Sequence, residues 1–143
     1  MLQTNAFDYQ KQIPRIIAAM AAAEKEIGDH GLDPLLRHLV KLRASQINGC
    51  AFCVKMHTAE SRRDGETSER LDRLVVWRHV DDFSEREKAA LAWTEALTNL
   101  DPTADQTALK RRLAEHFSDS EIAALTAQIG MINLWNRLMV ATH

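Results

Sequence analysis

Apolar residues along the chain return every three or four positions, and no stretch alternates apolar and polar side chains as a half-buried strand does. The pattern predicts an all-α fold of about six to seven helices. Local signals set their limits. Pro14 opens an Ala-rich helix that stops near Gly28-Asp29-His30-Gly31. Asp33-Pro34 pairs an N-cap with a proline at the first helical position, ahead of Leu35, Leu36, Leu39, Val40 and Leu42. Asn48-Gly49 breaks that helix, and the next runs from Cys50 to about Gly65. Ser68 starts a short helix through Leu71, Leu74 and Val75, with Trp77-Arg78-His79 leading out of it. Ser84-Glu85-Arg86-Glu87 is a capping box that launches Ala89 to Leu97. Beyond the Asp101-Pro102 turn, Leu109, Leu113 and Phe117 mark another helix. Ser118-Asp119-Ser120-Glu121 caps the last one, which continues through Met139.

The 143 residues read as one domain, 1–143, long enough to bury a core without disulfide staples. A net charge of -2 leaves no general attraction to nucleic acid or an anionic membrane, so neither is an expected partner. The apolar run Ile16 to Ala23 is far too short to span a bilayer. Asp8 and Pro14 argue against a secretory leader there, and the expected location is cytoplasmic. Trp77, Trp93 and Trp135 read as core or interface residues, and the Glu24–Glu26 and Arg62–Asp64 runs as solvated faces. Asn133 and Asn136, on an otherwise apolar helix, need partners across helices or on a neighbouring subunit.

Cys50 and Cys53 are the only cysteines, too close together to clamp distant parts of a scaffold, and His57 follows four residues later. Those spacings set all three side chains on one stripe of a helix. Cys50 should lie in the first helical turn, where exposed N–H groups favour an anion such as a thiolate. His57 can take the Cys53 proton and then stabilise the charge left behind. Two inert buried hydrophobes would need no such spacing. Zinc would require a fourth ligand beside Cys50, Cys53 and His57, supplied through folding by His38 or His79. His38 is either an interhelical histidine or a second proton-relay member. His30, His79, His116 and His143 sit at helix ends or in loops and receive no chemistry.

The run from Leu39 to Cys53, with Met56-His57-Thr58 after it, resembles the AhpD-like branch of the carboxymuconolactone decarboxylase family. Trp77-Arg78, Phe83 to Glu87, Thr94 to Leu97 and Ile132 to Arg137 extend the likeness over nearly the whole chain. The resemblance implies homo-oligomers, trimers or hexamers, and thiol-dependent reduction of hydroperoxides. It makes Cys53 the peroxidatic thiol, activated by His57, and Cys50 the resolving thiol that forms a disulfide with it. Dipole reasoning alone favours Cys50 as the more acidic sulfur, but a positioned base outweighs a terminal contribution of about 0.3–1 kcal/mol. The family relay also has a glutamate twelve residues before the first cysteine and a histidine just before the second; His38 and Phe52 stand there instead.

The expected function is therefore a peroxidase that cycles Cys50 and Cys53 between dithiol and disulfide, regenerated by an external dithiol, with no metal or organic cofactor. The catalytic set is Cys53, Cys50, His57 and His38, with His38 in place of the relay carboxylate. Two readings from other classes are a lactone decarboxylase on the same scaffold, which would not need the thiols, and a redox-sensing or zinc-binding protein without turnover.

Overall fold

The computed structural model describes residues 8–142. Among them are eight α-helices, one 3-10 segment and no strand. The helices are α1 (Tyr9–Gln12), α2 (Pro14–Asp29), α3 (Pro34–Ile47), α4 (Ala51–Arg63), α5 (Ser68–Arg73), α6 (Glu85–Asn99), α7 (Thr107–His116) and α8 (Asp119–Val140). The 3-10 segment, Leu74–His79, follows α5 and carries a kink at Val76. The count exceeds the expected six to seven because a single turn, capped by Asp8, precedes Pro14. His143 lies outside the described residues.

The caps behave as their residue types require. Asp33 accepts from the Leu35 amide, and Ser84 with Glu87 and Ser118 with Glu121 close reciprocal capping boxes. Cys50 is itself the N-cap of α4, one position ahead of the first turn in which the sequence placed it. Gly49, with φ +65°, makes the reversal between α3 and α4, a backbone state that a Cβ disfavours.

Helix α3 is the centre of the molecule and packs on α4, α6 and α8. One side of it sends Leu36 and Val40 into a core with Ala90 and Trp93 of α6, Leu113 of α7 and Leu125 and Ile129 of α8. Another side sends Leu39 and Leu42 against Leu71, Leu74, Trp77, Phe83 and Leu91. Every residue of α3 from His38 to Val40 is buried, so the face turned to α4 is fixed by packing on both flanks.

Polar groups caught between these layers are paired. The Glu95 carboxylate accepts from Arg43 Nε at 3.0 Å, Trp77 Nε1 at 2.8 Å and Arg78 Nη2 at 2.8 Å. Arg70 bridges Glu66 and Glu87 and so ties α5 to the N-terminus of α6. No helix among the described residues is long and apolar enough to cross a membrane.

Candidate active site

The α3–α4 turn is held by amides rather than by apolar packing. Asn48, the C-cap of α3, donates from Nδ2 to Asn133 Oδ1 at 2.9 Å and to Asn136 Oδ1 at 3.0 Å, both on α8. Asn136 is fully buried and donates to Ser45 Oγ at 3.0 Å, while Ser45 Oγ donates to the Lys41 carbonyl at 2.7 Å. Asn133 donates to Thr98 Oγ1 at 3.1 Å. The two asparagines thus bond across helices within the chain and anchor the segment that delivers Cys50.

Cys50 and Cys53 are joined in a disulfide. Cys50 Sγ accepts from the Cys53 amide at 3.3 Å, filling the place of an N-cap oxygen. Both residues are buried, with exposures of 0% and 1%. Cys53 and His57 line a common cavity of about 360 Å³. Its apolar wall is Phe52, Met56, Trp135 and Met139; its polar wall is Glu24, Lys41, His57 and Glu60.

His57 is buried, and its Nδ1 lies 3.1 Å from Glu60 Oε2, one turn on along α4. Burial pushes the His57 ring below its ordinary pKa, and Lys41 and His38 push the same way against the hydrogen bond and charge of Glu60. Burial thus favours the neutral form of the His57 ring. Lys41 is also lowered, chiefly by burial, with Glu24 the largest opposing influence.

His38 comes within the same group, with Nε2 2.6 Å from Asp64 Oδ2 and Nδ1 3.8 Å from Glu60 Oε2. The hydrogen bond from His38 holds the Asp64 carboxyl below its usual range, and Arg63 adds to the effect.

The structure brings all four sequence-selected residues, Cys50, Cys53, His57 and His38, to one region and adds Glu60, Asp64, Lys41 and Glu24. Two expectations are corrected. Asp64 is not simply part of a solvated face, because it binds His38; Glu24 lines the cavity, pairs with Arg37 at 3.6 Å and accepts from Gln128 at 3.3 Å. Glu60 could have been found from its place three residues after His57, a spacing at which helical side chains meet. Lys41 and Glu24 carry no comparable local signal. His79, the other suggested zinc ligand, lies at the 3-10 segment, and no metal-holding group of three or more His, Cys, Asp or Glu occurs among the described residues.

Comparison with known proteins places this arrangement. YdfG of Bacillus subtilis (strain 168), an uncharacterised protein, is 36% identical over 133 residues, 93% of this chain and 90% of that one. YnjA of Escherichia coli (strain K12), also uncharacterised, is 39% identical over 103 residues, 72% of this chain and only 56% of its own length. A crystal structure from Agrobacterium tumefaciens superposes with a TM-score of 0.89 at 42% identity, covering 94% of this chain and 92% of that one. It is described as a protein of unknown function and a candidate antioxidant defence protein AhpD. The profile of the carboxymuconolactone decarboxylase family matches residues 12–96, the stretch that holds both cysteines, His57 and His38. This chain belongs to the carboxymuconolactone decarboxylase family, in its AhpD-like branch.

Proposed function

We propose that the protein is a thiol peroxidase that reduces hydroperoxides through the Cys50/Cys53 pair. The observation that carries this reading is the buried Cys50–Cys53 disulfide, with Cys53 and His57 lining the same cavity. In the reduced enzyme His57, whose neutral form burial favours, takes the Cys53 proton. The thiolate attacks the terminal oxygen of the peroxide, the O–O bond breaks, and the departing alkoxide takes up a proton to leave as an alcohol. Sulfur is now a sulfenic acid; the Cys50 thiol displaces water from it and the disulfide forms. An external dithiol then reduces the pair by exchange and is itself oxidised to a disulfide.

Glu60 supplies the carboxylate of the relay, from three residues beyond His57 rather than twelve before Cys50. Phe52, Met56, Trp135 and Met139 favour an organic hydroperoxide over hydrogen peroxide, since apolar area removed from water returns about 25 cal/mol per Å². On the same reading the enzyme works in the cytoplasm as a homo-oligomer, a trimer or hexamer, and needs no metal or organic cofactor. The test is peroxide consumption with a dithiol reductant, comparing the intact protein with Cys50→Ser and Cys53→Ser. Loss of turnover in both variants is expected; unchanged rates would remove the proposal.

A further inference from the structure

The cavity that Cys53 lines also holds a group for which the peroxidase reaction has no use. Lys41, on α3, lines it together with Phe52, Met56, Trp135 and Met139. Its amine has no hydrogen bond and no ion pair among the described residues, although Glu24 and Glu60 line the same cavity. Both carboxylates are engaged elsewhere. Glu24 pairs with Arg37 at 3.6 Å and accepts from Gln128 Nε2 at 3.3 Å, and Glu60 Oε2 lies 3.1 Å from His57 Nδ1. None of Lys11, Lys25, Lys55, Lys88 and Lys110 lines this cavity.

An amine so placed differs from a surface lysine in two respects. Burial is the chief influence on Lys41 and disfavours its charged form, and Arg37 acts the same way; Glu24, Glu60 and Asp64 oppose them without reversing the result. The uncharged amine is the nucleophilic form of lysine. The second respect is the apolar wall, which takes the hydrocarbon part of a ligand out of water. The charged groups of the cavity decide what such a ligand carries. An anion would stand against Glu24 of α2 and Glu60 of α4, and low local dielectric enlarges that repulsion. A cation would meet Lys41 itself, while α8 supplies only Trp135 and Met139. An uncharged carbonyl compound with an apolar chain satisfies every wall.

We propose that Lys41 is a covalent site for uncharged aldehydes, which it takes up as an imine inside the cavity. The amine lone pair attacks the carbonyl carbon, the carbon–oxygen π pair moves to oxygen, and a proton passes from nitrogen to that oxygen to give a carbinolamine. Nitrogen then forms a double bond to carbon as the hydroxyl leaves, and the second amine hydrogen departs with it as water. No electrons are gained or lost, so the step calls for neither oxidant nor reductant. The aldehyde chain rests against Phe52, Met56, Trp135 and Met139. Neither thiol takes part, and the inference goes beyond the peroxidase reading without resting on it.

The test uses the intact protein with its disulfide formed, so that no thiol adds to the aldehyde. Hexanal and sodium cyanoborohydride are supplied at neutral pH, the imine is trapped as a hexyl amine, and digestion with mass spectrometry follows the modified fraction at each lysine. Lys41 should be modified about tenfold faster than the exposed Lys11, Lys55 and Lys110, through a larger share of free amine and through binding in the cavity. Hexanol, with the same chain and no carbonyl, should slow the reaction at Lys41 and leave the surface lysines unaffected. Glyoxylate, an anionic aldehyde, should show no preference for Lys41. Modification of Lys41 at or below the surface rate would overturn the proposal. So would a preference that hexanol does not reduce, or one that glyoxylate shares.

Discussion

Replacing Asn136 with alanine probes the amide network that carries the cysteine turn. The residue has no exposed surface, and its side chain donates to Ser45 Oγ and accepts from Asn48 Nδ2, each at 3.0 Å. Two hydrogen bonds at about 1 kcal/mol each are lost, and the Ser45 hydroxyl is left buried with an empty acceptor site. Asn48 keeps its bond to Asn133 and Ser45 keeps its bond to the Lys41 carbonyl, which limits the damage. The expected destabilisation is about 2–3 kcal/mol. Urea unfolding of the oxidised protein, repeated at two protein concentrations to remove any contribution from subunit association, measures it as a lower midpoint with an unchanged slope. A double-mutant cycle with Ser45→Ala should return a coupling of about 1 kcal/mol. A single-variant loss below about 0.5 kcal/mol, or no coupling to Ser45, would refute the view that these amides hold the turn.

Two pH effects follow from the charged groups. Because burial lowers His57, the unfolded chain binds the extra proton more readily, so its contribution is complete above about pH 6.5 and is lost as pH falls through the folded value. His57→Gln should therefore flatten the decline of urea midpoints on the acid side of neutrality, and an unaltered pH dependence would contradict the burial argument. For Glu87, burial acts upward but is outweighed by hydrogen bonds from Arg70 and Ser84, leaving the carboxyl below its ordinary range. Its stabilisation is present above the ordinary carboxylate value and disappears as pH drops through the folded one. Glu87→Gln should cost roughly 1 kcal/mol at neutral pH and almost nothing in strong acid, readable from thermal or urea curves at the two conditions.

The helix boundaries were legible where a boundary is chemical and local. Asp33-Pro34, Ser84 with Glu87 and Ser118 with Glu121 announce caps within four residues, and the structure puts helix starts at each. The single turn Tyr9–Gln12 was not legible, since four residues are too few to show a period. The outgoing stretch after α5 holds one more turn than its sequence announced, because Leu74 and Trp77 are both pulled into the core around the kink at Val76.

Within the site, Cys50, Cys53 and His57 could be read together because one helix carries them at helical spacings. Glu60 and Asp64 belong to that same helix but resemble solvated charges until α3 is docked against it and His38 arrives. Glu24 and Lys41 lie still further from sequence logic, on two other helices whose approach is set by apolar packing. The family position for a carboxylate, on α3, holds His38, and the carboxylate that meets His57 is Glu60 of α4.

Most helices begin on an oxygen that takes no part in chemistry. Helix α4 begins on Cys50 sulfur, the atom that is linked to Cys53 in one redox state and released in the other. Because the backbone amide of Cys53 points at that sulfur, its proton chemical shift and solvent exchange should differ between the disulfide and the reduced pair, which spectra with and without a dithiol reductant would read. A single resonance at the foot of the helix would then report the oxidation state of the pair, without any label on the side chains.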